Sequence, residues 1–151
     1  PFIVFELPPY FANIRKRVIK SSKIYFMDTG LAAFLLGIRT AEQAARDPLR
    51  GGLYENLIIL EVLKFFYNQG TRADIYFFRD SKGNEVDLLI RVQSRLLPVE
   101  IKSAATFSRA FLKGIKRLQS IASDCLDYGV VLYKSRLQKV ETRNLQLAGT
   151  G

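Results

Sequence analysis

Two stretches decide the reading of this chain: Glu85-Val86-Asp87-Leu88-Leu89-Ile90-Arg91 and Leu96-Leu97-Pro98-Val99-Glu100-Ile101-Lys102. In a β-strand, successive side chains point to opposite faces. The first stretch then sets Val86, Leu88 and Ile90 on an apolar face and turns Glu85 and Asp87 the other way. The second groups Leu97, Val99 and Ile101 and leaves Glu100 and Lys102 opposite them. Folding the pair as a hairpin about Gln93-Ser94 puts Arg91 across from Leu96, and the same register puts Asp87 across from Glu100. Directly opposed residues have Cβ atoms about 5 Å apart. Two carboxylates that close repel each other unless a cation lies between them. Mg²⁺ (or Mn²⁺), which takes a few carboxylate oxygens together with water and substrate phosphate, meets that need. Lys102 projects into the same space.

Working outward, Leu53–Asn68 is a strong helix candidate ended by Gly70. At 100° per residue Glu55 shares a stripe with Ile58, Ile59, Val62 and Phe66, while Glu61, Lys64 and Asn68 lie on the other side. Glu55 is therefore the acid on the buried face near the start of the helix, where a carboxylate requires a partner or a metal. Ile75–Arg79 reads as a strand and Asp80-Ser81-Lys82-Gly83-Asn84 as a turn. Phe107–Ala122 reads as an amphipathic helix, Tyr128–Tyr133 as a closing strand, and Gln138–Thr142 as a weaker one. From residue 53 onward the order is helix, three strands, helix, strand, which predicts an α/β sandwich with a mixed sheet.

Ahead of that core, residues 1–50 read as an extension: a strand-like PFIVFEL broken by Pro8-Pro9, a basic run of Arg15, Lys16, Arg17, Lys20 and Lys23, and an apolar strand Lys23–Met27. Asp28 or Thr29 then caps a short helix over Leu31–Leu36 that Gly37 stops. Residues 40–52 suit a helical turn and a loop ending in Gly51-Gly52. The expected organisation is residues 1–50 as a joining segment, 51–135 as the core, and 136–151 as a last strand and tail.

The chain of 151 residues carries 23 Lys+Arg against 14 Asp+Glu, a formal charge of +9, with no histidine and one cysteine, Cys125. The missing histidine excludes Ser-His-Asp triads and His-containing zinc sites, so a metal here would be a hard cation held by oxygens. One cysteine excludes an internal disulfide. The basic balance suits a polyanionic partner such as nucleic acid, although such a surface also simply keeps a domain soluble. Apolar runs such as Leu31–Gly37 and Leu57–Leu63 are too short to span a bilayer, and no signal peptide is evident. The cytoplasm is the expected compartment, and no membrane partner is expected.

Gly83-Asn84-Glu85-Val86-Asp87, followed by Glu100-Ile101-Lys102 and preceded by a helical Glu55, resembles the PD-(D/E)xK superfamily with its restriction-endonuclease-like α-β-β-β-α-β core. Lys23-Ile24-Tyr25-Phe26-Met27-Asp28-Thr29-Gly30-Leu31 and Gly52-Leu53-Tyr54-Glu55-Asn56 are similar to the C-terminal domain of bacterial and archaeal AAA-type ATPases. The resemblance implies Asp87 and Glu100 as metal ligands, Glu55 as an auxiliary ligand, and Lys102 as the group that activates water or stabilises phosphate. It implies a Mg²⁺-dependent DNA nuclease module, or a descendant of one that binds nucleic acid or protein without catalysis. It also implies an ATPase domain as partner in a longer protein. No G-x-x-x-x-G-K-[ST] phosphate loop occurs in this chain.

Each acid also has a structural reading: Glu100 and Lys102 as the polar face of an edge strand, Asp87 paired with an arginine, Glu55 salt-bridged to Lys102. Arg109, Lys113, Lys116 and Arg117 share one face of the 107–122 helix, either as a solvated face or as a stripe tracking phosphates beside the site. The basic run at 15–23 either touches DNA or joins the segment to a further domain. Tyr54, Tyr67, Tyr76 and Phe77 suit core packing better than base stacking.

Overall fold

A computed structural model describes residues 3–11, 21–134 and 136–141. Arg15, Lys16, Arg17 and Lys20 lie outside them, as do the first two residues and the tail from Thr142. Within the described residues the strands and α-helices follow in this order: β1 (Val4–Leu7), β2 (Lys23–Phe26), α1 (Thr29–Leu35), α2 (Ala41–Arg46), α3 (Arg50–Asn68), β3 (Ile75–Arg79), β4 (Glu85–Val92), β5 (Arg95–Lys102), α4 (Lys113–Gln119), β6 (Tyr128–Tyr133) and β7 (Arg136–Glu141). Strands β3-β4-β5-β6-β7 form one mixed sheet in that order, and β1 and β2 pair separately. Within the large sheet β5 and β6 run parallel. That pairing needs a crossover, which α4 supplies. The mixed sheet with flanking helices matches the architecture expected from the sequence.

The hairpin register is the one that the alternation predicts, with Arg91 across from Leu96 and Leu88 across from Val99. The turn closes on Gln93-Ser94 because Gln93 takes φ 57°, the left-handed region that tight two-residue turns require.

One expectation about β4 fails. Tyr76 pairs with Leu89 and Phe78 with Val86, so Asp87 and Leu88 together stand against the single residue Phe77. This β-bulge breaks the simple alternation. Leu88 packs with Ile59, Leu60, Leu63, Val99 and Ile101 on the α3 side of the sheet, whereas Val86 joins Phe78, Leu89, Leu96, Ile115 and Leu118 on the α4 side. Each such fully buried aliphatic side chain contributes about 1.5–3 kcal/mol.

The buried seam of α3 is Asn56, Ile59, Leu60 and Leu63, spaced for one helical face. It is turned by one residue from the expected stripe, which leaves Glu55 half-buried on its flank. Glu61, Lys64 and Asn68 are exposed as expected. The helix expected over 107–122 is shorter. Ser108 caps a 3-10 turn at Arg109–Leu112, and α4 ends at Gln119. A Cβ on Gly114 would lie 1.7 Å from the Glu85 carbonyl oxygen, so here the helix rests directly on the β4 backbone.

The N-terminal segment is fastened to the core. Phe77 donates its N–H to the Pro8 carbonyl and Tyr10 donates to that of Phe77. The buried Asn56 side chain accepts from Phe26 N–H at 2.8 Å and donates to the Phe26 carbonyl and Thr29 Oγ1, each at 3.0 Å. Asp28 is the N-cap of α1, accepting from Leu31 N–H at 3.0 Å. Thr40 and Gln43 form a reciprocal capping box on α2.

Candidate acidic site

The bulge in β4 governs the site, since an extra residue re-aims the side chains beside it. Asp87, 5% exposed, extends Oδ2 to the backbone N–H of Ile101 at 2.8 Å. Lys102 Nζ lies 2.6 Å from Glu100 Oε1 and 3.8 Å from Asp87 Oδ2. Asp87, Glu100 and Lys102 are thus brought together at the end of β5, the central strand of the sheet, although the bulge has broken the alternation from which their shared face was expected.

Glu100 is 6% exposed, and its Oε2 has no hydrogen-bond partner among the described residues. A buried carboxylate oxygen without a donor is costly. Burial pushes the Glu100 carboxyl well above its ordinary range, and the neighbouring Asp87 charge adds to the effect against the pull of Lys102. Asp87 is likewise pushed up, by burial first and then by Glu55, although Lys102, the Ile101 N–H and Lys23 oppose it. Burial disfavours the Lys102 ammonium, but Asp87 and Glu100 outweigh this and raise its pKa.

Glu55 faces the same cluster, yet it is engaged by residues that the sequence alone does not place there. Lys23 Nζ on β2 lies 2.9 Å from Glu55 Oε1, bonds Glu85 Oε1, and comes within 3.9 Å of Asp87 Oδ1. The Tyr25 hydroxyl donates to the same Glu55 oxygen. Arg79 Nε holds Glu85 Oε2 at 2.6 Å. Burial works against the Glu85 charge, but Arg79 and Lys23 hold its carboxyl below the usual range. Lys23 and Tyr25 are two apart on a strand and so share a face, the one signal by which they are legible. Among the described residues, Glu55, Glu85, Asp87 and Glu100 therefore meet the cations Lys23, Arg79 and Lys102.

Among the described residues, no three Asp, Glu or Cys side chains are gathered tightly enough to hold a metal ion between them. Lys23 lies within ion-pair reach of Glu55, Glu85 and Asp87. The two residues whose donor set fits a hard cation are Asp87 and Glu100, with the orphaned Glu100 Oε2 as the acceptor lacking a partner.

Of the four basic residues expected beside the site, Arg109, Lys113 and Lys116 are exposed. Arg117 is tied by Nε to Asp80 Oδ2 at 3.1 Å. Burial disfavours the Asp80 charge, but that bond and those from Asn84 and the Lys82 N–H hold its carboxyl down to about 2. Tyr76 and Phe77 pack in or against the core clusters, as does Tyr54, while Tyr67 is exposed. Cys125 is buried. No helix among the described residues is long and apolar enough to cross a membrane.

The family profile described as a domain of unknown function (DUF4143) matches residues 50–147, and a second, also a domain of unknown function (DUF8612), matches residues 1–42. An uncharacterized protein of Mycobacterium bovis and one of Mycobacterium tuberculosis are each 33% identical over 119 residues, covering 78% of this chain and 26% of theirs. The chain spans about a quarter of the length of these curated relatives. No solved structure matches it.

Proposed function

We propose a function from this premise: the chain belongs to the family described as a domain of unknown function (DUF4143). Its acidic site is that of a Mg²⁺- or Mn²⁺-dependent phosphodiester hydrolase, a DNA nuclease module with a restriction-endonuclease-like core, working as part of an ATPase. One observation carries the reading. Buried Asp87 and Glu100 converge with Lys102, and one Glu100 oxygen has no hydrogen-bond partner among the described residues.

Asp87 and Glu100 would hold the ion. Bound there, a divalent cation supplies a water acidified towards neutrality and charge stabilisation on the phosphate. The Ile101 N–H fixes the Asp87 carboxylate in place. Lys102, tethered by Glu100 at 2.6 Å, presents its ammonium where an attacking water or a phosphate oxygen would be oriented. Glu55 and Glu85 act at one remove, by holding Lys23 and with it the charge balance beside Asp87. The formal charge of +9 and the exposed Arg109, Lys113 and Lys116 favour a polyanionic substrate.

A second reading has an observation of its own. Lys23 already satisfies Glu55 and Glu85, as it would in a domain that binds nucleic acid or protein with a vestigial site. The discriminating experiment incubates supercoiled and linear DNA with the protein in Mg²⁺, in Mn²⁺ and in EDTA. Cleavage that needs the ion and disappears in Asp87→Ala supports the hydrolase. DNA binding with no cleavage in either ion, or cleavage that persists in Asp87→Ala, removes it.

A further inference from the structure

Asp87 turns its two carboxylate oxygens towards two different ammonium groups. Oδ1 lies 3.9 Å from Lys23 Nζ and Oδ2 lies 3.8 Å from Lys102 Nζ. The acids therefore fall into two sets that share Asp87. Glu55, Glu85 and Asp87 surround Lys23, while Asp87 and Glu100 lie beside Lys102.

The two sets differ in how complete they are. In the first, Lys23 approaches all three carboxylates, and the Tyr25 hydroxyl donates to Glu55. The Phe77 ring, whose centroid is 5.3 Å from Nζ, adds a face that favours a cation. An ammonium has three N–H donors and no acceptor, which suits a pocket of three acids. In the second set Glu100 Oε2 has no hydrogen-bond partner among the described residues. A divalent ion entering the first set would have to expel an ammonium whose side chain is only 17% exposed, at the cost of breaking its ion pairs. An ion entering the second set also meets an ammonium, Lys102, but one whose side chain is 35% exposed, and it finds in Glu100 Oε2 an oxygen with no hydrogen-bond partner among the described residues.

We infer that Lys23 is the resident cation of the Glu55–Glu85–Asp87 set and excludes a divalent ion from it, so that ion binding is confined to Asp87 and Glu100. The inference deepens the ion-dependent reading above and rests on it. The number of metal ions in the site is then set by β2, a strand outside the large sheet. Lys23 is a positioning residue: it touches the acids and not the reacting phosphate.

The test counts Mn²⁺ bound per full chain by electron paramagnetic resonance titration, in the parent, Lys23→Arg and Lys23→Ala. The expected result is one ion in the parent and in Lys23→Arg, and one more in Lys23→Ala. An equal count in parent and Lys23→Ala overturns the inference. A parent that binds none while Lys23→Ala binds one upholds the exclusion by Lys23 but removes the ion at Asp87 and Glu100 and with it the hydrolase reading, so the two failures are distinct. Lys23→Ala removes the ammonium that three acids share, which puts its metal-free fold at risk, so a measurement on the parent stands beside it. With ¹⁵N-labelled lysine, the slowly exchanging Lys23 ammonium resonance persists when Mg²⁺ is saturating. Its loss on adding Mg²⁺ would mean that the ion displaces Lys23, and the inference falls.

Discussion

Asp87 Oδ2 accepts the backbone N–H of Ile101 at 2.8 Å, just beyond the last paired residues of β4 and β5, Leu88 and Val99. The side chain of one strand thereby takes over a link that the main chain has given up. The charge proposed to hold an ion and a bond that holds the sheet together reside in the same carboxylate, and substitution can separate them.

Asp87→Asn keeps an oxygen for the Ile101 N–H but loses the charge. Its unfolding free energy in urea with EDTA should stay within about 1 kcal/mol of the parent, whereas Asp87→Ala orphans the N–H and loses about 1–3 kcal/mol. Both variants should fail to bind Mn²⁺. Parental Mn²⁺ affinity in Asp87→Asn would contradict the placement of the ion.

Glu100 gives the metal-free protein a particular pH dependence. Its carboxyl is raised in the fold, so the native state holds the proton more tightly than the unfolded chain. The contribution of Glu100 to stability is then fully present below the ordinary glutamate value of about 4.3 and is lost as pH rises through the elevated native value. Glu100→Gln should flatten this fall and be more stable than the parent at the alkaline end. Urea denaturation in EDTA between about pH 5 and 9 checks it. Asp80 acts in a separate window: its lowered pKa contributes stability above the ordinary aspartate value that is lost as pH drops towards about 2. A Glu100→Gln curve parallel to the parent's would refute the assignment.

Asn56 should be costly to replace. Asn56→Ala strands the Phe26 N–H and carbonyl, a loss of about 1–3 kcal/mol. Hydrogen exchange should quicken across β2, and unchanged protection at Phe26 would show that another group holds the strand.

Arg109, Lys113 and Lys116 should contribute to DNA binding through phosphate charge alone. Every phosphate left without its cation lowers the slope of log affinity against log salt by about 0.9, so the triple alanine variant should reduce it by roughly 2–3. Arg117→Ala should instead leave the slope alone and weaken the fold, because its guanidinium serves Asp80. Fluorescence anisotropy across a salt series separates the two; a triple variant with the parental slope would place DNA elsewhere.

The hairpin register is legible because alternation and a two-residue turn leave one alignment that keeps both apolar faces together, and that alignment brings Asp87 and Glu100 close. The bulge is not legible. Asp87 and Leu88 carry no glycine or other local mark, and only the pairing with β3 reveals that two residues oppose Phe77. In the sequence Lys23 is one more member of a basic run, since its role depends on residues 32 and 62 positions further along the chain, Glu55 and Glu85. The length expected for the 107–122 helix follows amphipathic periodicity, which does not register the 3-10 turn that precedes α4.

Gly114 gives the arrangement a mechanical property. With no room for even a methyl group between α4 and the Glu85 carbonyl, helix and strand have no slack between them. Lys113 and Lys116 are exposed on that helix, so a basic outer face sits directly behind the backbone of an acid that grips Lys23. Between the outside of the domain and the charged cluster of its interior there is, at this point, only the width of a single missing side chain.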